Sequence, residues 1–381
     1  MKVAHIALTP VAGSPIRIVK ALNQYTDVES RLIVFDTKKY GNRTFEQDLD
    51  FLEHQALALQ WIMNCDVLHL HQYFDLKHNV FGIDFEKLAA EGKKIVRQWH
   101  SVPLALSGGD ALLAQKIVQD RSVAQLVVVQ HQERFYPYAQ LVPNLVETQD
   151  FSLKTPDEGK PIVIFFAPTV LISAHKSRWD TKGFVEVLPI LKALKRQYGK
   201  KIGIDVVRNV PHDVLLSRKQ QADIVIDEVA TGSYHLSALE ALAMGKPTLC
   251  YIDLRTEWVL KNFIGVANKA DLPFVNCNLL TLKSTLIELI EDKNLRLSQG
   301  SKSRLWIECH WNEVDLVQHY VQVYRDLYEN PERFEQKRLN QSDQTMCHRA
   351  DEQWQLIIKK VKPSVFERLK RQLIDGIRRW F

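Results

Sequence analysis

The stretch ADIVIDEVATGSYHLSALEALAMGKPTLCYID, Ala222 to Asp253, constrains the fold of this chain more than any other. It reads strand, loop, helix, strand. Asp223 to Ile226 is a short apolar run closed by the acidic pair Asp227 and Glu228, and the glycine-containing loop Val229 to Ser233 follows. From Tyr234 the apolar residues Leu236, Leu239, Leu242 and Ala243 recur at helical spacing. Gly245 stands where a helix end takes a left-handed residue, Pro247 stops the helix, and Thr248 to Ile252 is a second apolar strand. Such a crossover joins two parallel strands. The loop presents free backbone N–H groups at a helix N-terminus, a setting that favours a phosphate or diphosphate. Glu240 lies about two turns into the helix, where a carboxylate is placed to accept hydrogen bonds from ribose hydroxyls.

These residues resemble the nucleotide-binding segment of retaining GT-B glycosyltransferases of family 4, whose pattern is E-x7-E within EGFG and EAMA-x-G-x-PVI. The second Glu of the pattern matches Glu240, and ALEALAMGKPTL follows it closely. The first Glu falls at Gly232, where this chain departs from the pattern. In the family that Glu touches the transferred sugar, so the departure concerns sugar handling rather than nucleotide binding. The resemblance is specific in residues 222–252 and looser at 9–22, 141–151 and 165–184.

The remaining chain is read against that segment. Hydrophobic content of 46% and charged content of 25% are those of a soluble globular protein, and 381 residues suffice for two domains. Net charge is only +5, so no nucleic-acid partner is expected. The 5 cysteines are scattered without C-x-x-C spacing, which argues against a zinc site and a disulfide frame and for a reducing cytosol. The start, MKVAHIALTP, reads as a strand running into a loop and is too short for a signal peptide. No apolar run approaches the roughly 20 residues that span a bilayer.

Val3 to Leu8 reads as a buried first strand, followed by the loop TPVAGSP and a helix from about Ile16 to Gln24. The loop lies where open α/β sheets bind ligands. In the resembled family it approaches the donor diphosphate or the acceptor, which implicates Gly13, with Ser14 and Arg17 beside it. Arg31–Phe35 and Asp66–Leu70 are further strands, with a helical stretch around Phe45 to Met63 between them. His69 and His71 are read as alternating across the strand end to opposite faces, which disfavours a metal pair. Lys94 to Arg97 is another strand and leads to His100, which fits the family position that hydrogen-bonds the donor sugar. SGGD at 107–110 is a turn and a candidate acceptor loop, and Leu126 to Val129 is a further strand.

The segment 143–160 breaks periodicity, with Pro143 and Pro156, and resembles a GT-B hinge. After the strand Ile162 to Phe166, a polar loop aims Lys176, Arg178 and Lys182 at a helix expected from about Lys182 to Tyr198. Basic residues at a helix start suggest an external anion. The resemblance implies that Lys182 and either Arg178 or Lys176 hold the diphosphate, Lys182-Gly183 matching the family's Lys-Gly.

The expectation is an α/β chain of GT-B architecture, with two Rossmann-like domains facing a cleft. Residues 1–150 form the acceptor domain, 151–330 the nucleotide-sugar domain, and 331–381 a helical basic extension. The resemblance implies a retaining glycosyltransferase acting on a nucleotide-diphosphate sugar. Arg178 and Lys182 take the diphosphate with the backbone of Gly232, Ser233, Tyr234 and His235; Glu240 takes the ribose, Val229 lies against the base, and His100 positions the sugar. No cofactor or metal is expected, since these cations replace one and no D-x-D cluster is present. Expected partners are the nucleotide-sugar donor and a glycan or lipid-linked acceptor, in bacterial surface polysaccharide synthesis by family association. The expected location is the cytoplasm. From Pro363, Phe366, Leu369, Leu373, Ile377 and Phe381 share a helical stripe among basic residues, which fits either an anionic inner-membrane surface or packing on the first domain. A catalytically inactive nucleotide-sugar- or glycan-binding subunit is the alternative, and another GT-B-shaped enzyme such as a sugar-nucleotide epimerase is a third reading.

Overall fold

The computed structural model of this chain describes residues 1–148, 151, 153, 159–179, 181–266 and 272–361. The chain divides into two compact units: Met1–Asp150 with Asn209–Leu215 and Ile307–Gln344, and Phe151–Arg208 with Leu216–Trp306 and Thr345–Phe381. The segment from Pro363 to Phe381, with its amphipathic stripe, lies outside the described residues.

The first unit is built on a 7-stranded parallel sheet in the order β3-β2-β1-β4-β5-β6-β7. Its strands are β1 Lys2–Ala7, β2 Glu29–Val34, β3 Leu49–Asp50, β4 Val67–His71, β5 Lys94–Trp99, β6 Ala124–Val128 and β7 Gln140–Val142. The order reverses between β1 and β4, the switch point at which doubly wound sheets take ligands. Helices cover both faces, so β1 is buried on both: Val3, Ala4, His5, Ile6 and Ala7 are all inaccessible to solvent. The helix expected over Phe45 to Met63 forms only as Gln55–Asn64. Upstream of it, the Asp48 carboxylate accepts from the Leu32 N–H at 2.8 Å and from Arg31 Nε at 2.8 Å. That anchor lays Leu49–Asp50 along β2 as an edge strand, so tertiary pairing overrides the local helical spacing. The helix Glu313–Glu329 belongs to this unit and buries Val317, Val321 and Tyr324, while Val314 stays exposed.

The second unit has a 5-stranded parallel sheet in the order β12-β11-β10-β8-β9. These strands are β8 Ile162–Phe166, β9 Ile202–Val206, β10 Ile224–Glu228, β11 Thr248–Cys250 and β12 Val275–Asn276. Ile164, Phe166, Ile224, Ile226 and Leu249 form a core with Val187, Leu191 and Leu194 of the helix Phe184–Tyr198. Trp354 and Ile358 of the helix Gln341–Lys360 complete it, the Trp354 ring stacked 6.2 Å from that of Tyr251.

Candidate functional site

The βαβ segment forms as β10, a loop, the helix Leu236–Ala243 and β11, and Gly245 takes the left-handed φ of +66° that its position requires. Along β10, Ile226 pairs with Leu249 and Glu228 with Cys250, leaving Asp227 as an extra residue. This bulge lets two consecutive carboxylates serve the same loop, where a regular strand would send them to opposite faces. Glu228 Oε1 accepts from the Ala230 and Thr231 N–H groups at 2.6 and 2.7 Å, and Asp227 Oδ2 accepts from the His235 N–H at 2.9 Å. Both carboxyl groups are fully buried. Burial pushes Glu228 above the usual carboxylate range, against the opposing pull of His235 and the two N–H groups. Burial alone would raise Asp227 too, but the Lys182 charge and the His235 contact outweigh it and hold Asp227 well below that range.

Asp227 therefore contributes stability that is fully present above its unfolded value of 3.8 and is lost as pH falls through the lower folded value. Asp227→Asn keeps the shape and loses the charge. Urea unfolding of both proteins across the acid range is expected to show a less stable variant at neutral pH with a shallower acid decline. Parallel curves would mean that the Lys182–Asp227 pair contributes nothing.

Lys182 and Gly183 both adopt left-handed backbone, at φ +50° and +66°, so the helix begins at Phe184 rather than at Lys182. The φ of Gly183 is one that residues with a Cβ rarely adopt, which explains the glycine, and a Cβ there would also stand 2.9 Å from Leu279 Cδ2. The turn sends Lys182 inward, where its Nζ lies 2.7 Å from Asp227 Oδ1. Arg178 donates from Nη2 to Asp253 Oδ2 at 2.8 Å, from Nη1 to Asp351 Oδ1 at 2.7 Å, and from Nε to the Ala230 carbonyl at 3.3 Å. Its guanidinium also lies 5.2 Å from the Trp354 ring centre. Of the two basic residues left open by the sequence, the structure brings Arg178 into this cluster and leaves Lys176 exposed.

Gly232 has φ +89°, and a Cβ there would run into Arg178 Nη2 and stand 2.5 Å from Asp253 Oδ2. The departure from the E-x7-E pattern thus has a local cause: an Arg178–Asp253 ion pair lies against the position where the glutamate side chain would begin. Ser233 is buried beside it. Val229 is a fully buried core residue, and the Tyr234 ring is buried against Phe274 at 5.3 Å, so neither side chain is open to a nucleotide base; what remains of Tyr234 for a ligand is its backbone. His235 opens the helix with its Nδ1 3.5 Å from Asp227 and 3.7 Å from Glu228. Burial lowers its pKa, but Asp227 more than compensates, and the net direction is upward. Glu240 is almost fully buried and paired with the fully buried Lys219, whose Nζ also donates to Ser237 Oγ at 3.0 Å. A ribose bound by Glu240 would have to compete with that ammonium group.

In the first unit, Gly13 (φ +77°) precedes the helix Ser14–Tyr25, after Val11 and Ala12, which also hold positive φ of 46° and 53°. Left-handed backbone at a β-branched residue costs on the order of 1–3 kcal/mol and concentrates at ligand loops. Ser14 Oγ donates to Asn144 Oδ1 at 2.7 Å, and the buried Arg17 pairs with Glu147 at 3.3 Å, so both tie the helix to the rest of its unit. In the SGGD turn, Asp110 caps the helix Ala111–Gln119. His100 follows β5, partly exposed, with Nε2 2.9 Å from His71 Nδ1. Burial lowers its pKa to about 3, so the ring is neutral. His69 and His71 do not face opposite ways. Residues two apart share a face of a strand, and both rings stack with that of His5 on β1, with centroids 4.6 and 5.3 Å away.

Asp253 and Lys219 are not among the site residues expected from the sequence. Asp253 ends the segment after β11 and was detectable as an acid at the carboxyl end of a parallel strand. Lys219 gave no signal, because a lysine near a helix C-terminus ordinarily faces water.

No family model matches this chain, and no curated protein matches it in sequence. Solved structures do match it in fold. One is an alpha-glucosyltransferase in complex with UDP and a 13-mer DNA containing a central A:G mismatch, with TM-score 0.60, 11% identity, 85% of this chain and 100% of that chain covered. Another is an alpha-glucosyltransferase in complex with UDP-glucose and DNA containing an abasic site, with TM-score 0.58, 10% identity and coverages of 85% and 99%. A third is sucrose-phosphate synthase from Thermosynechococcus elongatus, with TM-score 0.52, 13% identity and coverages of 86% and 99%. The expectation that nucleic acid is excluded as a partner is corrected by these matches: two of them hold DNA, so this fold accommodates a nucleic acid, and a net charge of +5 is no ground for excluding one. At these identities the likeness establishes architecture, and the chain is an α/β protein of GT-B fold, with a parallel sheet in each unit.

Proposed function

We propose that this chain is a glycosyltransferase that moves a sugar from a nucleoside-diphosphate sugar to an acceptor hydroxyl. The observation that carries the reading is the pair of cations, Arg178 and Lys182, held beside the loop 229–235 of the second unit. Lys182 is fixed there by Asp227 and Arg178 by Asp253 and Asp351, beside a helix whose first turn has no acidic residue and whose N-cap makes no side-chain hydrogen bond. Departure of a nucleoside diphosphate concentrates negative charge on the leaving group, and positive groups already held in place lower that barrier most. Arg178, Lys182 and the backbone of Ser233 and Tyr234 are assigned to the diphosphate, the His235 N–H being held by Asp227, and the same cations make the donor chemistry independent of a metal. UDP is the first nucleotide to test, because the matching glucosyltransferase structures hold UDP or UDP-glucose. His100, neutral and partly exposed, is assigned to the sugar.

The finer reading is a retaining enzyme of family 4, with the leaving phosphate taking the proton of an acceptor hydroxyl that attacks from the same face. A bacterial surface polysaccharide is the first acceptor class to test, and a hydroxyl on a nucleic acid is the second. Cytoplasmic location belongs to the same reading; no helix among the described residues is long and apolar enough to cross a membrane. One observation favours a second reading, a nucleotide-sugar-binding subunit without activity: Gly232 replaces the pattern's first Glu, and Lys219 occupies the second.

The test is thermal unfolding with UDP, GDP, ADP and CMP and their sugar conjugates, on the wild type, Arg178→Ala and Lys182→Ala. A ligand that binds only the folded state adds about 2.7 kcal/mol at roughly a hundred times its dissociation constant. One nucleoside diphosphate is expected to stabilise the wild type and to lose most of that effect in both variants. If none does, the transferase reading fails. Acceptor-dependent release of the nucleoside diphosphate then separates enzyme from binding subunit.

A further inference from the structure

The helix Lys293–His310 turns one face, Lys293, Arg296, Leu297, Gly300 and Ser301, into a cavity of about 780 Å³ in the second unit. The cavity lies at the amino ends of the sheet, where Ile162 begins β8, Asp223 precedes β10 and Pro247 precedes β11. The loop 229–235 follows the other end of β10, so the 5 residues of that strand, roughly 17 Å, separate the two places. Gly300 fixes how the cavity is walled. A Cβ there would stand 2.5 Å from the Gly245 carbonyl oxygen, so the helix packs directly on the turn that carries Lys246.

We propose that this cavity binds the phosphate of a small organic phosphate. Lys160, Lys200, Lys201, Lys246, Lys293 and Arg296 line it, and among the described residues Asp223 is the one acidic side chain that does. Asp223 is already engaged, its Oδ2 accepting from the Val163 N–H at 2.8 Å. The acids that flank the helix start are engaged as well. Asp292 accepts from the Leu295 N–H at 2.9 Å, and Glu291 accepts from the Tyr198 hydroxyl at 2.6 Å. A concave wall lined by one sign of charge focuses its field on the enclosed space and draws in the opposite charge.

Two of the cations are held in place rather than waving in solvent. Arg296 Nη1 donates to the Leu289 and Ile290 carbonyls at 2.7 and 2.9 Å, the last turn of the helix Leu282–Glu291. Lys246 is 4% exposed, and its Nζ donates to the Gln220 carbonyl at 2.8 Å. Carbonyls order these side chains without cancelling their charge, which lowers the entropy that binding would cost. A planar guanidinium among ammonium groups suits phosphate oxygens. Pro161, Ile162, Pro247 and Leu297 supply apolar wall for the organic body of the ligand. The volume is that of a small-molecule site, which favours an enclosed ligand over a polymer lying across a surface. The site is independent of the transferase reading.

The experiment titrates the full chain by calorimetry with inorganic tripolyphosphate and with glycerol 3-phosphate. Saturable binding that weakens with added salt is expected. Arg296→Gln should weaken it about tenfold or more, and the exposed double variant Lys200→Gln with Lys201→Gln should weaken it severalfold. Arg178→Ala should leave it unchanged, which separates this site from the nucleotide loop. If Arg296→Gln does not fold, the double variant decides. No binding at millimolar ligand overturns the proposal, as does full binding by the folded cavity variants or loss of binding in Arg178→Ala alone. Sedimentation with phosphatidylcholine vesicles containing phosphatidic acid, abolished by the same variants, identifies the source as a lipid headgroup. Binding of tripolyphosphate without sedimentation identifies a soluble phosphate. A short single-stranded oligonucleotide that binds through these residues where tripolyphosphate does not makes the partner a nucleic acid and overturns the proposal.

Discussion

Glu240→Ala is expected to destabilise the second unit by about 3–5 kcal/mol, because it leaves the Lys219 ammonium buried without its counter-charge. Lys219 is fully buried and Glu240 nearly so. What remains for Nζ is Ser237, through its carbonyl at 3.1 Å and its hydroxyl at 3.0 Å, and the edge of contact with the Phe165 ring at 5.9 Å. Burial already pulls the Lys219 pKa below its ordinary value while Glu240 pulls it back up. In the variant the pull of Glu240 is gone and burial, the largest influence, prevails, so the unfolded chain binds the proton more readily than the folded one, and the loss of stability shrinks as pH is raised. Replacing both partners, Lys219→Met with Glu240→Leu, should stay within about 1 kcal/mol of the wild type, since apolar residues of similar volume fill the site without a charge to desolvate. Urea unfolding of the two singles and the double closes the cycle. If Glu240→Ala alone matches the wild type, the pair is not buried as described. The double variant also answers a functional question: if it folds and still binds the nucleotide, Glu240 is structural and the ribose is held elsewhere.

Restoring the pattern's glutamate is expected to harm this protein. Gly232→Glu places an L-residue at φ +89°, at a cost of about 1–2 kcal/mol, and drives its Cβ into the Arg178–Asp253 pair. Asp253 is 1% exposed, and its Oδ1 caps the next helix by accepting from the Thr256 N–H at 2.9 Å. A second carboxylate beside it adds repulsion, so the total loss should reach about 3–5 kcal/mol. Gly232→Ala isolates the backbone and Cβ part of that loss. Asp253→Ser, which keeps a capping oxygen and removes the charge, should recover more than half of the damage when combined with Gly232→Glu, because Arg178 then faces two carboxylates, the new Glu and Asp351, rather than three. Denaturant midpoints for the three variants measure this. A well-folded Gly232→Glu single variant would show that the Arg178–Asp253 pair yields freely and that the glycine is not required.

Both experiments probe the point at which sequence reading stopped. By itself the sequence determined the strand–loop–helix–strand unit at 222–253, most of the strands in both units, the left-handed Gly245 and the basic residues before the helix at 184. Each is written in apolar spacing, a glycine or a proline within a few neighbouring residues. Where local spacing and long-range pairing competed, pairing won: Asp48 captures Leu32 and Arg31 and turns the start of an expected helix into an edge strand. The tertiary structure alone decided the partners of the buried charges. Lys219 meets Glu240 at 21 residues' separation, Lys182 meets Asp227 at 45, and Arg178 meets Asp253 at 75. It also gathered His5 with His69 and His71 across two strands. A charge costs free energy to bury whatever its neighbours in sequence, and only the folded sheet determines which opposite charge or ring is brought close enough to compensate it.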